Sequence, residues 1–425
     1  MGSEIRAGPA SRGEDARWDR LLGESARLLN SNGVSGDFLA QAAGALGLTR
    51  AALYGYVEDR EDLVFRCYQR SCEIMSQRLE EAISGGENVF GVIEAFVRKV
   101  LDPALPELAA LSETGYLRPS QERAILSQVD ALERRLAEVL AVGGRSGLIR
   151  TLDYAVVGRA LLSLVYWLKL APRWLSEEVS LPAERLQATA LRLIFDGLAT
   201  GQVTLPSAQV DLTGLVPQIT DAFDRKSMTI AKRDKILATA SRLFNTRGLD
   251  STSVDEIAAQ VGATKRTIYN HFADKQGLVS ACQLRGYAMF TEIVEQARSR
   301  QGSRAEVLAF ALYASVMASS SPALSPLRVF SGLPDLGPGP RQAARDASTK
   351  LQRCYEEIFQ QGAAEGSMQE VDLRATLLAM TGASTWVARS DLDTETFQQA
   401  HVAREIAGLL LMGLRARPAN RPGAA

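Results

Sequence analysis

The sequence predicts an all-α protein built from two tandem copies of one unit, and three observations carry this prediction. Hydrophobic residues make up 46% and charged residues 23% of the 425-residue chain, which is enough apolar material for large cores. Apolar side chains recur at helical spacing along most of the chain. A segment around residues 46–50 is repeated 215 residues later. Because a chain of this length suggests about two to four domains, the repeat indicates two double units.

The internal repeat runs without a gap through the early part of each copy. Leu46–Arg50 aligns with Val261–Lys265, and apolar, glycine and charged positions on both sides of these segments also coincide. The later parts correspond with small length differences, and Trp167 there pairs with Trp386. The duplication predicts a joint at residues 201–228, where glycine and proline interrupt the helical periodicity.

The second copy begins with three predicted helices. Apolar residues lie at helical spacing over Ala231–Thr246, and Gly248 after them is suited to end a helix. Ser253 is placed to cap a second helix that ends at Gly262, and Thr264 is placed to cap a third, very short helix. Two helices joined by a tight turn are typical of a helix-turn-helix, whose second helix enters the major groove of DNA.

The short third helix carries the predicted DNA-reading face. Ile268 and Phe272 are expected to face the core, which leaves basic and polar residues outward. A solvated, non-functional surface is the alternative for such charges, but their place on the recognition helix favours a role in DNA binding. The candidate DNA-binding residues are Ser253, Thr264, Lys265, Arg266, Thr267, Tyr269, Asn270, His271 and Lys275 in the second copy, and Thr49, Arg50, Tyr54 and Arg60 in the first.

The run 252–275, TSVDEIAAQVGATKRTIYNHFADK, closely resembles the signature of the TetR family of bacterial repressors. The first copy resembles it more loosely, since it keeps Gly47, Thr49 and Tyr54 but has Asp37 and Phe38 where the second copy has the residues 252 and 253. The resemblance implies that each helix-turn-helix is followed by a helical domain that binds a small-molecule effector and dimerises through its last two helices.

The repeat and the resemblance together define five segments. They are a first helix-turn-helix domain at 14–65, a first ligand-binding and dimerisation domain at 66–200, a linker at 201–228, a second helix-turn-helix domain at 229–280 and a second ligand-binding and dimerisation domain at 281–415. The resemblance implies that Leu152–Lys169 and Pro182–Leu198 pack against Leu373–Arg389 and Thr396–Leu414. The chain is therefore expected to form an intramolecular pseudo-dimer, and the sequence leaves open whether two chains join into a further homodimer.

The two helix-turn-helix domains differ in charge. Residues 229–280 contain eight basic and five acidic side chains, whereas the aligned residues 14–65 contain five basic and nine acidic ones. Because neutralisation of phosphates contributes much of DNA affinity, the second domain is predicted to bind DNA strongly. The first is predicted to read a weaker half-site or none.

The resemblance also implies an effector pocket inside the helical domains. Apolar and aromatic residues at helical spacing are more often ordinary core than ligand contacts, although pockets are themselves mostly apolar. The effector is unidentified, and acyl-CoA thioesters, aromatic compounds and antibiotics all occur in the family. The candidate pocket residues are Phe90, Phe96, Leu111, Tyr116, Leu132, Trp167, Phe310, Tyr313, Phe330, Phe359 and Trp386.

The predicted function is a DNA-binding repressor that a small-molecule effector releases from double-stranded operator DNA. An alternative is a regulatory interaction protein in which one or both DNA-binding domains are retired, which the acidic first domain makes conceivable. A third is an enzyme built on a helical bundle. With two histidines and no metal-ligand spacing, nucleophile elbow or phosphate-binding loop, the sequence predicts no catalytic residue, no metal and no cofactor. The lack of a signal-like apolar segment in residues 1–13 predicts a cytoplasmic protein without a membrane partner.

Overall fold

The computed structural model describes residues 12–34, 37–111, 113–171, 181–207, 210–217, 224–327, 337–388 and 398–416. These residues form helices and no strand beyond two isolated bridges, which confirms the all-α prediction. The helices of the first half are α1 (Arg12–Asn32), α2 (Phe38–Ala45), α3 (Arg50–Leu53), α4 (Arg60–Gly85), α5 (Val89–Val100), α6 (Pro119–Arg145), α7 (Tyr154–Leu170) and α8 (Ala183–Phe195). Those of the second half are α9 (Arg225–Arg247), α10 (Val254–Val261), α11 (Lys265–Tyr269), α12 (Lys275–Arg298), α13 (Arg304–Ser320), α14 (Pro338–Ala364), α15 (Leu373–Ser384) and α16 (Gln399–Met412).

The two halves therefore repeat the same order of helices within the described residues. The helix starts follow from local side chains, because an oxygen on the preceding residue satisfies the first free backbone N–H groups. Asn88 caps α5, Asp153 caps α7 and Asp274 caps α12 in this way. Among the described helices, none combines the length and the apolar character that crossing a membrane requires.

Each half begins with a small three-helix unit that has its own core. We call α1–α3 the first head and α9–α11 the second head. In the first head, Leu21, Phe38 and Leu53 are almost fully buried, and the second head buries Phe244 and Ile268. In both cases the third helix is held by one large apolar residue, so its remaining side chains face outward.

The helical bundles of the two halves share one continuous core. Helix α7 packs against α15, and α8 packs against α15 and α16. The Trp167 indole donates to the carbonyl of Leu378 at 2.9 Å, and the Ser163 hydroxyl donates to the carbonyl of Gly382 at 2.7 Å. These contacts join the helix pairs that the family resemblance brings together.

Two backbone hydrogen bonds cross the boundary between the halves. In the second bond, each half plays the part that the other half plays in the first. The N–H of Arg150 donates to the carbonyl of Leu414 at 2.9 Å, and the N–H of Gln369 donates to the carbonyl of Leu198 at 2.9 Å. Arg150 and Gln369 follow the sixth helix of their own half, while Leu414 and Leu198 follow the last helix of the other. The boundary between the halves is thus approximately two-fold symmetric.

The segment 201–228, predicted as the linker, contains both loop and the start of a helix within its described residues. Helix α9 begins at Arg225, inside that range, because the Asp224 side chain caps it. Before it, Val210, Leu212 and Val216 pack against a small cluster in the second bundle. The sequence did not indicate this packing, because the apolar residues there are scattered among glycine and proline and show no helical period.

Candidate nucleic-acid interface and cavity between the helical bundles

The second head forms the tight helix-turn-helix that the sequence predicts. Ser253 accepts a hydrogen bond from the N–H of Glu256 at 3.1 Å, which fixes the start of α10. Gly262 ends α10 with φ of +71°, a conformation that favours glycine. Thr264 then caps α11 by accepting from the N–H of Thr267 at 3.2 Å. The turn is therefore determined by side chains that lie within it.

The outer face of α11 is basic and aromatic. Lys265 and Arg266 are exposed, and Tyr269 keeps 42% of its surface accessible although it is a large ring. The Lys265 ammonium lies 2.8 Å from a carboxylate oxygen of Asp255, and this hydrogen bond raises the pKa of Lys265. An incoming phosphate would therefore have to compete with Asp255 for Lys265.

The remaining candidates of the second head divide between its surface and its interior. Asn270 is exposed, whereas Thr267 and His271 are half-buried, and the His271 ring lies beside Phe272. Lys275 is also half-buried, and burial lowers its pKa while the carboxylates of Asp250 and Glu113 oppose that shift. Lys275 thus faces the protein interior as well as the start of α12.

The first head has the same capping but a different surface. Thr49 accepts from the N–H of Ala52 at 3.1 Å and so begins α3, where Arg50 lies within 3.4 Å of the exposed Tyr54 hydroxyl. Arg60 donates to the Tyr116 hydroxyl and lies 5.1 Å over its ring. Arg60 is therefore held by a residue of the bundle.

Arg118 of the bundle partly compensates the acidic residues at the start of α4. Its guanidinium pairs with Asp59 and lies 3.1 Å from a carboxylate oxygen of Glu61. These contacts attach the acidic turn of the first head to its own bundle.

A cavity of about 130 Å³ lies between α4, α6 and α7 of the first half and a 3-10 turn at Thr385–Ala388 of the second. Four of the candidate pocket residues line it: Leu111, Leu132, Trp167 and Trp386. Trp386 comes from the second half, so both halves contribute to the wall. The lining is mainly apolar, with a small number of polar groups at one side.

These polar groups are already ordered by one another. The Arg159 guanidinium donates to Glu133 at 2.6 Å and lies 5.1 Å over the Trp386 ring. The hydroxyls of Ser163 and Thr385 are 2.7 Å apart. The sequence analysis missed these four polar residues, although a charged residue in the middle of the apolar run 154–170 was a usable signal.

The other candidate pocket residues lie outside the cavity. They serve as core or surface packing, as where Phe90 meets Phe195 edge-on. Phe330 lies outside the described residues. The full set that the structure does not bring to the cavity comprises Phe90, Phe96, Tyr116, Phe310, Tyr313 and Phe359.

Comparisons with known proteins find relatives for both parts of the unit. A model of bacterial regulatory proteins of the tetR family matches residues 236–282, in the second half. A model of the tetracyclin repressor-like C-terminal domain matches residues 84–198, in the first half. The two models thus match different halves of the chain.

Individual relatives align only over a short region. The transcriptional regulator AcrR of Shigella flexneri is 50% identical over 48 residues, which are 11% of this chain and 22% of that protein. The regulator YerO of Bacillus subtilis is 40% identical over 53 residues, 12% of this chain and 18% of that protein. This chain therefore spans about a fifth of the length of the relatives that it matches.

Among solved structures, the TetR family regulator PfmR of Thermus thermophilus is 24% identical and covers 43% of this chain and 99% of its own. The TM-score is 0.37, which supports no conclusion about this chain. The model that matches residues 236–282 agrees with the helix-turn-helix geometry found there, and the described fold is all-α. Models of the two parts of TetR-family regulators thus match segments of this chain, and the chain is similar to that family of bacterial regulatory proteins in both segments.

Proposed function

We propose that this chain is a sequence-specific transcriptional repressor that binds double-stranded operator DNA and is released by a small-molecule effector. The observation that carries the proposal is the capped turn between α10 and α11, which presents Lys265, Arg266 and Tyr269 on one exposed face. A helix held by its inner side and basic on its outer side is what major-groove recognition requires.

The proposed organisation is two units in one chain that act as an intramolecular pseudo-dimer. The proposed units comprise residues 14–200 and 229–415, joined through 201–228. The exchanged backbone contacts of Arg150 and Gln369, and the shared core around α7 and α15, support this arrangement. Since covalent linkage supplies a high effective concentration, the heads stay paired at any protein concentration.

The proposed heads are unequal in DNA binding. The second head offers Lys265 and Arg266 to phosphates and base edges, whereas the first offers Arg50 alone on its short helix. An operator with two unlike half-sites would fit such a chain, because the usual palindrome mirrors a symmetric protein.

The proposed effector is a small, mainly apolar molecule of about one aromatic ring. Drug-sized ligands occupy pockets of roughly 300–1,000 Å³, while a benzene molecule fits an engineered cavity of about 150 Å³. The cavity of about 130 Å³ is close in volume to the one that holds benzene. The Arg159 guanidinium in its wall suits one carboxylate or hydroxyl on the ring.

Selection of bound sequences from random DNA tests the proposal. The intact chain is compared with a Lys265→Ala, Arg266→Ala double variant and with a matched control, Arg345→Ala, Lys350→Ala, which removes the same charge from exposed positions on α14. We expect an enriched site that the double variant loses and the control retains. Equal enrichment by all three proteins, or none by the intact chain, would contradict the proposal.

A second candidate function is that the first head binds a protein instead of DNA. The observation that favours it is the excess of nine acidic over five basic side chains in residues 14–65, which disfavours contact with phosphates. The same selection separates the two: enrichment of two unlike half-sites indicates that both heads read DNA, and a single half-site indicates that the first does not.

Binding of the effector can be measured through Trp167 and Trp386, which line the cavity. We expect phenol, benzoate or indole to change the tryptophan fluorescence and to weaken the DNA complex. Arg159→Ala should reduce the response to benzoate more than the response to indole, because only benzoate offers a carboxylate to the guanidinium. Equal losses in the responses to benzoate and to indole would mean that Arg159 does not bind the ligand carboxylate.

A further inference from the structure

One carboxyl group lies between the two heads. Glu113 belongs to the first bundle, where the structure describes residues 109–111 and 113–116 of this segment, and it is 6% exposed. Its side chain accepts hydrogen bonds from the backbone N–H groups of Val34, in the first head, and Asp250, in the second. Its own N–H lies 3.4 Å from the hydroxyl of Tyr68 on α4. A single side chain of the bundle thus contacts equivalent turns of both heads.

The space for this contact is created by two glycines that the repeat aligns. Gly33 and Gly248 follow the first helix of their heads and have φ of +67° and +89°. A Cβ on Gly248 would lie 2.6 Å from Cγ of Glu113, and a Cβ on Gly33 would lie 3.4 Å from its Oε1. Glu113 is therefore fitted between the heads without room for a larger neighbour at Gly248.

The same segment reaches the cavity. Ala110 and Leu111 line it, and the N–H of Ala110 donates to the Asn30 side chain of α1 at 2.7 Å. At the other end, Gly115 packs so closely on α9 that a Cβ would lie 2.9 Å from Cα of Arg247. The described residues on the two sides of position 112 therefore contact the cavity, α1 and α9.

A negative charge on Glu113 is unfavourable in this buried position. Burial, and after it the nearby Asp250 carboxylate, raise its pKa to about 7, while the two N–H groups and Lys275 act in the opposite direction. Within the described residues, its Oε2 atom is buried and has no hydrogen-bond partner. The neutral carboxyl is favoured in this place, because the carboxylate would carry the desolvation cost of one unbonded oxygen.

We propose that Glu113 is a positioning residue that sets the separation of the two heads through its contacts with the turns that follow α1 and α9. The inference rests on the proposed function, since the separation of the heads decides how they meet DNA. Loss of the Glu113 proton also changes the separation of the heads. The resulting carboxylate is repelled by Asp250 and moves out of the space between the turns.

The separation can be measured directly, without DNA or effector. Spin labels on Ala45→Cys and Ala259→Cys place one probe on each head at exposed positions, while the four native cysteines are buried. In the intact full-length chain we expect a narrow distance distribution at pH 6 that broadens at pH 8, with the midpoint near the pKa of about 7. Glu113→Gln should keep the narrow distribution at both pH values, and Glu113→Ala should be broad at both.

A second variant identifies the group that titrates. Asp250→Asn removes the carboxylate that raises the pKa of Glu113, so the broadening should move to lower pH. If the intact chain shows one distribution at both pH values, or if Glu113→Ala stays narrow while its thermal unfolding is normal, the inference is wrong. Because neither result depends on DNA, failure of the repressor proposal is seen separately in the sequence selection.

Discussion

At the residue scale, the buried carboxyl of Glu113 links stability to pH. Its pKa is raised from 4.5 to about 7 in the folded chain. The folded state therefore binds the proton more tightly than the unfolded state, and its stability falls as the pH rises from about 4.5 to about 7. A neutral glutamine removes this dependence.

We expect Glu113→Gln to raise the free energy of unfolding at pH 8 by at most about 3 kcal/mol and to change it little at pH 4.5. Urea unfolding at the two pH values measures the difference. Glu80→Gln, at an exposed carboxylate whose pKa is lowered by the Arg135 hydrogen bond, is the control and should show no gain at pH 8. A pH-independent gain in Glu113→Gln would mean that the carboxyl is not buried in solution.

The ion pair between Lys265 and Asp255 gives a second prediction at this scale. Asp255→Asn removes an acid from the DNA-facing side and releases Lys265, whose ammonium lies 2.8 Å from it. We expect DNA affinity to rise several-fold at low salt and the gain to shrink as salt is added, since the interaction is electrostatic. Asp346→Asn on α14 makes the same change of charge far from α11, and an equal gain in both variants would assign the effect to net charge alone.

At the scale of elements, the packing of α7 against α15 depends on Gly382. A Cβ at this position would lie 2.7 Å from Cδ1 of Trp167 and 3.0 Å from Cα of Leu164. We expect Gly382→Ala to destabilise the chain by about 1–3 kcal/mol, because the helices must separate to admit one methyl group. Gly23→Ala on α1, where nothing lies within 4 Å, should instead stabilise it by about 0.5–1 kcal/mol. Urea unfolding measures both, and a loss of equal size in both variants would contradict the packing argument.

The elements also show what the sequence could and could not predict. Ser253, Gly262 and Thr264 specify their turn locally, so the helix-turn-helix was predictable from these residues and their spacing. The cavity was not, because Leu111 and Trp386 lie far apart in the chain and meet only when the halves pack. Phe96 and Tyr313 have the same apolar pattern as true lining residues, and only the tertiary structure places them in the core.

The contact of Glu113 with both heads was not predictable from local sequence patterns for the same reason. Gly33 and Gly248 were visible as equivalent glycines, but nothing near them in the sequence indicates Glu113. A lone acidic residue before a helix is usually solvated, so its burial depends on the way the bundle meets the heads. Local sequence rules thus predict the helices. The packing of the two halves determines which residues of the bundle and the heads come into contact.

At the scale of the whole molecule, the proposed intramolecular pseudo-dimer has a consequence for how stability depends on protein concentration. The shared core and the exchanged contacts of Arg150 and Gln369 predict that thermal unfolding of the intact chain does not depend on protein concentration. A protease site inserted after the exposed Gly201 makes the pairing intermolecular once it is cut. We then expect the melting temperature to fall on dilution over a roughly hundredfold range, as mass action requires for associating subunits.

The uncut insertion variant is the control, since it carries the same added residues and should melt at one temperature throughout that range. A cut chain that also melts independently of concentration would mean that each half is stable alone, and that the α7 and α15 contact adds little to folding. An intact chain whose melting temperature rises with concentration would mean instead that two chains associate, and the single chain would then be only part of the DNA-binding assembly.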